Sequence, residues 1–147
     1  MMRINMTPIK TFAWNSLIAA LVVTVLGCAS SGATKAIGPQ DMPSLAGKWG
    51  GTLNLPGGGA TVPGTLEITP DGSYTAMAGA FIAQGKAQIK DGSLVLVPTM
   101  TTGVGPGVRG ARTSSASLSE RPDGTQVLTG YGHSDAGPFD FQVSRRK

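Results

Sequence analysis

The chain has 147 residues, 22 of them glycine and 10 proline, and carries a formal net charge of +4. So much glycine and proline excludes a helical bundle, since these are the two poorest residues for helix interiors, and the glycines lack the three-residue period of collagen. Hydrophobic residues at 40% against charged residues at 14% exclude a disordered polyelectrolyte, and a single cysteine excludes an intrachain disulfide framework and a cysteine-based metal cluster.

In chain order, residues 1–28 read as an address. Arg3 and Lys10 form a basic start with no acid before Asp41, and an apolar stretch follows from Leu17 to Leu26. Such a stretch rises only about 15 Å as helix, half of a bilayer's roughly 30 Å core. That length suits the core of a signal peptide, not a permanent span. The stretch ends in Val25-Leu26-Gly27-Cys28.

This ending resembles the lipobox of bacterial lipoprotein signal peptides. The resemblance implies that Cys28 receives a diacylglyceryl thioether, that residues 1–27 are removed, and that the new amino group is acylated. Several acyl chains together hold a protein stably on a membrane where one does not. Ala29 follows, with no aspartate near it. In enterobacterial lipoproteins an aspartate there causes inner-membrane retention, so the resemblance implies an outer-membrane anchor facing the periplasm. The competing reading, a free cysteine closing an ordinary signal peptide or an uncleaved anchor, fits the flanks less well.

Beyond the cut, residues 28–44 are small, polar and proline-broken, and read as a lipidated flexible tether. Removing Arg3 and Lys10 from the twelve basic residues leaves ten against eight acids, a charge of +2. This offers no footprint for nucleic acid. Residues 45–147 then form one domain.

That domain alternates with period two. Trp49, Gly51, Leu53 and Leu55 alternate with polar or small neighbours, as do Leu66 and Ile68. Pro70-Asp71-Gly72 predicts a turn into a strand over 73–78 around Tyr74. A strand through Gly85, Ala87 and Ile89 meets Asp91-Gly92, the strongest hairpin signal in the chain. A strand over 93–97 returns, and residues 99–111 read as a loop at a barrel mouth. A weak strand over 113–119, a turn at Pro122-Asp123-Gly124, a strand over 125–131 and a last strand through Phe139, Phe141 and Val143 complete the pattern. Eight strands with no room for a crossover helix predict an all-β fold: a small antiparallel up-and-down β-barrel, since closure removes the two edges that a meander exposes. A two-sheet sandwich is the alternative.

Gly47-Lys48-Trp49 resembles the Gly-x-Trp that opens the first strand of lipocalin-like and other calycin barrels. The resemblance extends to short envelope barrels, including the periplasmic metalloprotease-inhibitor family, although no cysteine pair follows Cys28 here. It implies that Trp49 plugs one barrel end.

Candidate chemistry is thin. Gly105-Pro106-Gly107-Val108-Arg109-Gly110 spells G-x-G-x-x-G, but the serine-rich stretch that follows makes no helix to meet a pyrophosphate. His133, in His133-Ser134-Asp135, cannot form a catalytic relay with its own neighbours, whose side chains diverge, and no ligand spacing suggests a metal. It reads as part of a polar turn. Asp71, Asp91 and Asp123 are accounted for by turn chemistry. Arg109, Arg112 and Arg121 are either a clamp for an anion or solvated edge residues. Gly51, Ala76, Gly85, Ala87 and Ala116 are small inward positions that either leave a ligand cavity or let the barrel close tightly.

The reading that follows is a lipid-anchored, non-enzymatic envelope protein without cofactor or metal. Its barrel binds a small apolar or amphipathic ligand, with Trp49, Tyr74, Phe81, Met100, Arg109 and Arg112 as candidates for the pocket or its mouth. The alternative is a protein-interaction or protease-inhibitor-like module with an envelope protein as partner.

Overall fold

The alternation folds as expected, into antiparallel strands joined by short turns. The computed structural model describes residues 33–103 and 110–146. Nine strands occur among them: β1 (Ala33–Lys35), β2 (Gly47–Asn54), β3 (Thr61–Ile68), β4 (Ser73–Ala78), β5 (Phe81–Lys90), β6 (Ser93–Thr102), β7 (Ser114–Glu120), β8 (Thr125–Ser134) and β9 (Gly137–Arg146). Neighbours pair in chain order from β2 to β9, and β2 also pairs with β9, closing an eight-stranded barrel. Closure wins over the sandwich for the reason the sequence suggested. The first and last long strands satisfy each other's backbone groups, leaving no pair of edges.

The turns follow their chemistry. Asp91 (φ 51°) and Gly92 (φ 76°) both occupy the left-handed region, as a tight hairpin between β5 and β6 requires. At two inward positions glycine serves close approach instead. A Cβ on Gly51 would lie 2.7 Å from the Val143 Cα, and one on Gly85 would lie 2.8 Å from the Pro98 Cα. The neighbouring strand's backbone fills those places, so neither glycine leaves room for a ligand. Gly85 also flanks a β-bulge, where Thr99 is the extra residue and its hydroxyl donates to the Gln84 carbonyl at 3.2 Å. The bulge lets β6 run on to Thr102, so residues 99–102, expected as loop, are strand.

One end of the barrel is closed. Within the stretch expected as a tether, residues from Ala33 onward are built into the fold. β1 pairs with β7 from Ala33↔Glu120 to Lys35↔Leu118. The chain then passes under the barrel: the Ile37 amide donates to the Gly92 carbonyl at 3.1 Å. A single 3-10 turn over Pro39–Asp41 leads into the one-turn helix α1 (Met42–Leu45). Ile37 and Leu45 are buried, and Leu45, Trp49, Ile68, Leu94 and Leu128 make the best-buried layer of the core. Each such side chain contributes about 1.5–3 kcal/mol by leaving water. That gain explains why a proline-broken segment is held in place.

Candidate functional site

The opposite end differs in composition. Here β2, β4, β6 and β8 finish at Asn54, Ala78, Thr102 and Ser134, and the inward residues beneath them are mostly small on one wall. β3 presents Gly64, β4 presents Ala76 and Ala78, and β5 presents Ala83. Facing them from β9 are Phe139 and Phe141, which pair across the sheet with Gly132 and Gly130 of β8. A Cβ on Gly132 would lie 2.6 Å from Phe139 Cζ, and one on Gly130 would lie 2.7 Å from Phe141 Cε1. The two rings therefore rest on the glycine stretch of β8 and do not cross the barrel.

What they leave is a cavity of about 80 Å³. A water needs about 10–15 Å³ by this kind of measure, so the space exceeds a packing defect. Its wall is largely apolar: Leu53, Leu66, Leu96 and Pro98 join the small residues and the two rings. Ser114, Thr52 and Thr65 add hydroxyl-bearing residues, and among the described residues Arg112 is the only charged one that lines it. Tyr74 is part of the wall; burial alone pushes its phenol up to about 12, which keeps it neutral. Arg112 is exposed and is held by its backbone, whose amide donates to the His133 carbonyl at 2.8 Å.

The candidates from sequence therefore separate. Tyr74, Phe81 and Arg112 come together around the cavity. Trp49 lies at the closed end, away from it. Met100 is 48% exposed and faces outward, because it pairs with the outward Gln84 past the bulge. Met77 and Ile82 pair across the sheet in the same region and are exposed, and Met77 also borders the cavity. Cys28 and Arg109 lie outside the described residues, as do residues 104–109 of the glycine motif. His133 belongs to β8, paired with Pro138, and not to a turn; it is exposed. Among the described residues no group of three or more His, Cys, Asp or Glu side chains could hold a metal ion. None of their helices is long and apolar enough to cross a membrane.

Sequence reading missed Gly64, Ala78, Ala83, Ala111, Phe139 and Phe141 as cavity residues. It also missed Arg145, which completes the closed end. The Arg145 guanidinium donates to the carbonyls of Ser44, Leu45 and Ala46, and its Nε donates to Gln126 Oε1 at 3.1 Å. Both features carried a signal in the parity of β9, since 139, 141, 143 and 145 share one face.

Compared with protein-family models, with curated proteins and with solved structures, the chain has no significant match. The likeness to calycin barrels rests on the Gly47-Lys48-Trp49 motif and on the closed eight-stranded barrel.

Proposed function

We propose that this protein is a lipid-anchored bacterial envelope protein, without enzymatic activity, whose barrel binds a small apolar or amphipathic ligand. The observation that carries the reading is the cavity, with its mostly apolar wall and its position at the end of the barrel opposite the Trp49 plug. Ligand sites of this kind are concave, mostly apolar and furnished with a few polar groups.

The anchor half of the reading is supported by the sequence up to Cys28.

Native mass spectrometry of the protein as extracted from bacterial membranes tests both halves. The expected mass carries acyl groups on Cys28 and a retained small apolar molecule. Ala76→Phe and Ala83→Phe, each filling the cavity from one wall, should retain the acyl mass and lose the ligand. Ligand retention in both variants would show that the cavity is not the site. A Cys28→Ser chain that stays membrane-bound and unchanged in processing would sink the anchor.

A further inference from the structure

We infer a second binding site on the outside of the barrel, independent of the cavity: the outer face of β7, β8, β9, β2 and β3 takes a neutral glycan chain, with one sugar ring stacked on Tyr131 and hydroxyls on Asp140 and Asn54. Tyr131 is 65% exposed, more than any other large hydrophobic side chain among the described residues. It stands in a lateral row set by strand register. Ser115 lies opposite Tyr131, Tyr131 opposite Asp140, Asp140 opposite Asn54, and Asn54 opposite Thr61. Alternation turns the row outward, since Gly130, Phe141 and Leu53, one position away on their strands, are buried. The row is held as well as exposed. The Thr61 hydroxyl donates to Asn54 Oδ1 at 2.6 Å, and Asn54 Nδ2 donates to Asp140 Oδ2 at 2.6 Å. Three polar side chains from three strands are thus already ordered, and a ligand bound there does not have to order them. In the adjoining row Gln142 Nε2 donates to Thr129 Oγ1 at 3.4 Å.

The composition of these two rows selects the ligand class. They carry one formal charge, the Asp140 carboxylate, and neither lysine nor arginine. Nothing in them attracts a phosphate polymer or an acidic glycan. A single ring among hydroxyls and amides also makes a poor centre for a protein interface, whose core gathers several apolar anchors. A pyranose uses what is present. Its axial C–H groups form an apolar face that covers an aromatic ring. Its hydroxyls, around the rim, donate to a carboxylate and exchange hydrogen bonds with an amide and a hydroxyl. Gluco-configured units fit best, because every hydroxyl is equatorial and both ring faces are free to stack. Neighbouring strands lie about 4.8 Å apart, close to the length of one such unit. A short chain crossing the strands therefore sets successive units over Tyr131, Asp140 and Asn54.

The test is saturation-transfer NMR on the protein as extracted from bacterial membranes, in a detergent without a sugar head and with irradiation at aromatic frequencies. The probes are cellotetraose, which is neutral, and tetragalacturonate, which is acidic. Cellotetraose should receive saturation, strongest on the axial protons of one ring face, and tetragalacturonate should receive none. Tyr131→Ala and Asp140→Ala should each weaken cellotetraose binding about tenfold, the effect of losing one ring contact or one charge-assisted hydrogen bond. Tyr131→Phe keeps the ring and should bind like the wild type, which separates loss of the site from loss of the fold. Absence of saturation on cellotetraose would overturn the inference. So would equal saturation of the acidic probe, or an unchanged signal in Tyr131→Ala.

Discussion

The Arg145 guanidinium lies 4.2 Å from the centroid of the Trp49 ring, so the last strand of the barrel clamps the first. The ring is buried and donates from Nε1 to the Leu45 carbonyl at 3.0 Å, while Arg145 donates to three successive carbonyls of the same chain turn. Two residues nearly a hundred positions apart thus fasten α1 over the closed end. The partly exposed cation still reaches water, and desolvation by burial lowers its pKa from the usual arginine value.

Arg145→Ala should therefore cost about 2–3 kcal/mol, combining a cation–π contact with charge-assisted hydrogen bonds. Arg145→Lys should recover part of this, because a point charge keeps the ring contact but cannot span three carbonyls. Urea unfolding followed by tryptophan emission measures both. Arg145→Ala unfolding at the wild-type midpoint would mean that α1 is held by Ile37 and Leu45 alone.

A second prediction concerns pH. Asp71 accepts from the hydroxyls of Thr69 and Ser73 and pairs with Lys86 Nζ at 3.1 Å. The Thr69 hydroxyl is the largest cause, followed by Ser73 and Lys86, and together they hold the carboxyl well below the usual carboxylate range. A folded pKa below the unfolded one stabilises the fold above the unfolded value, about 3.9, and the contribution fades as pH falls below it. The wild-type melting temperature should fall more steeply than that of Asp71→Asn between pH 5 and 2. Parallel curves for the two chains would show that the turn network contributes nothing.

Much of this architecture was legible in the residues. The period-two alternation and the three Asp-Gly turns place β2 through β9, because inward apolar parity and left-handed turn residues are local properties. β1 was invisible, since Ala33-Thr34-Lys35 has no alternation and all three residues are exposed; only its partner β7 defines it as a strand. β6 looked shorter than it is, because Pro98 and the threonines after it read as loop until the bulge at Thr99 continues the pairing. The cavity was half legible. Ala76 was named as a small inward residue, but Gly51 and Gly85 proved to admit backbone, and the space depends on where the β9 rings rest.

A third prediction follows from Tyr74. Burial pushes its phenol up to about 12, whereas an unfolded tyrosine ionises near pH 10. A raised folded pKa means that this contribution is complete below about pH 10 and is lost as pH rises toward about 12. The fold should weaken across that window, and Tyr74→Phe should weaken less. Absorbance at the phenolate band, recorded with the unfolding signal by circular dichroism, separates ionisation of the folded state from ionisation on unfolding. A Tyr74 phenolate appearing before unfolding, near pH 10, would contradict the buried placement.

The last prediction joins stability to the cavity. Replacing glycine by alanine in a strand ordinarily helps, since glycine weakens strands. At position 132 the added Cβ meets Phe139 Cζ at 2.6 Å and the Ser114 hydroxyl. Overpacking of this kind costs about 1–3 kcal/mol, so Gly132→Ala should destabilise the protein. It should also push the Phe139 ring off β8 toward Ala76 and Ala83, and so lower the retention of any bound apolar ligand. Phe139→Leu alone removes ring contacts and costs stability as well. In the double variant the smaller side chain leaves room for the new Cβ, so the two losses should fall short of their sum by about 1 kcal/mol, a coupling typical of residues in direct contact. Urea unfolding of the four chains in the cycle measures that term. Strict additivity would mean that the ring does not rest on Gly132, and the account of why the cavity exists would fail with it.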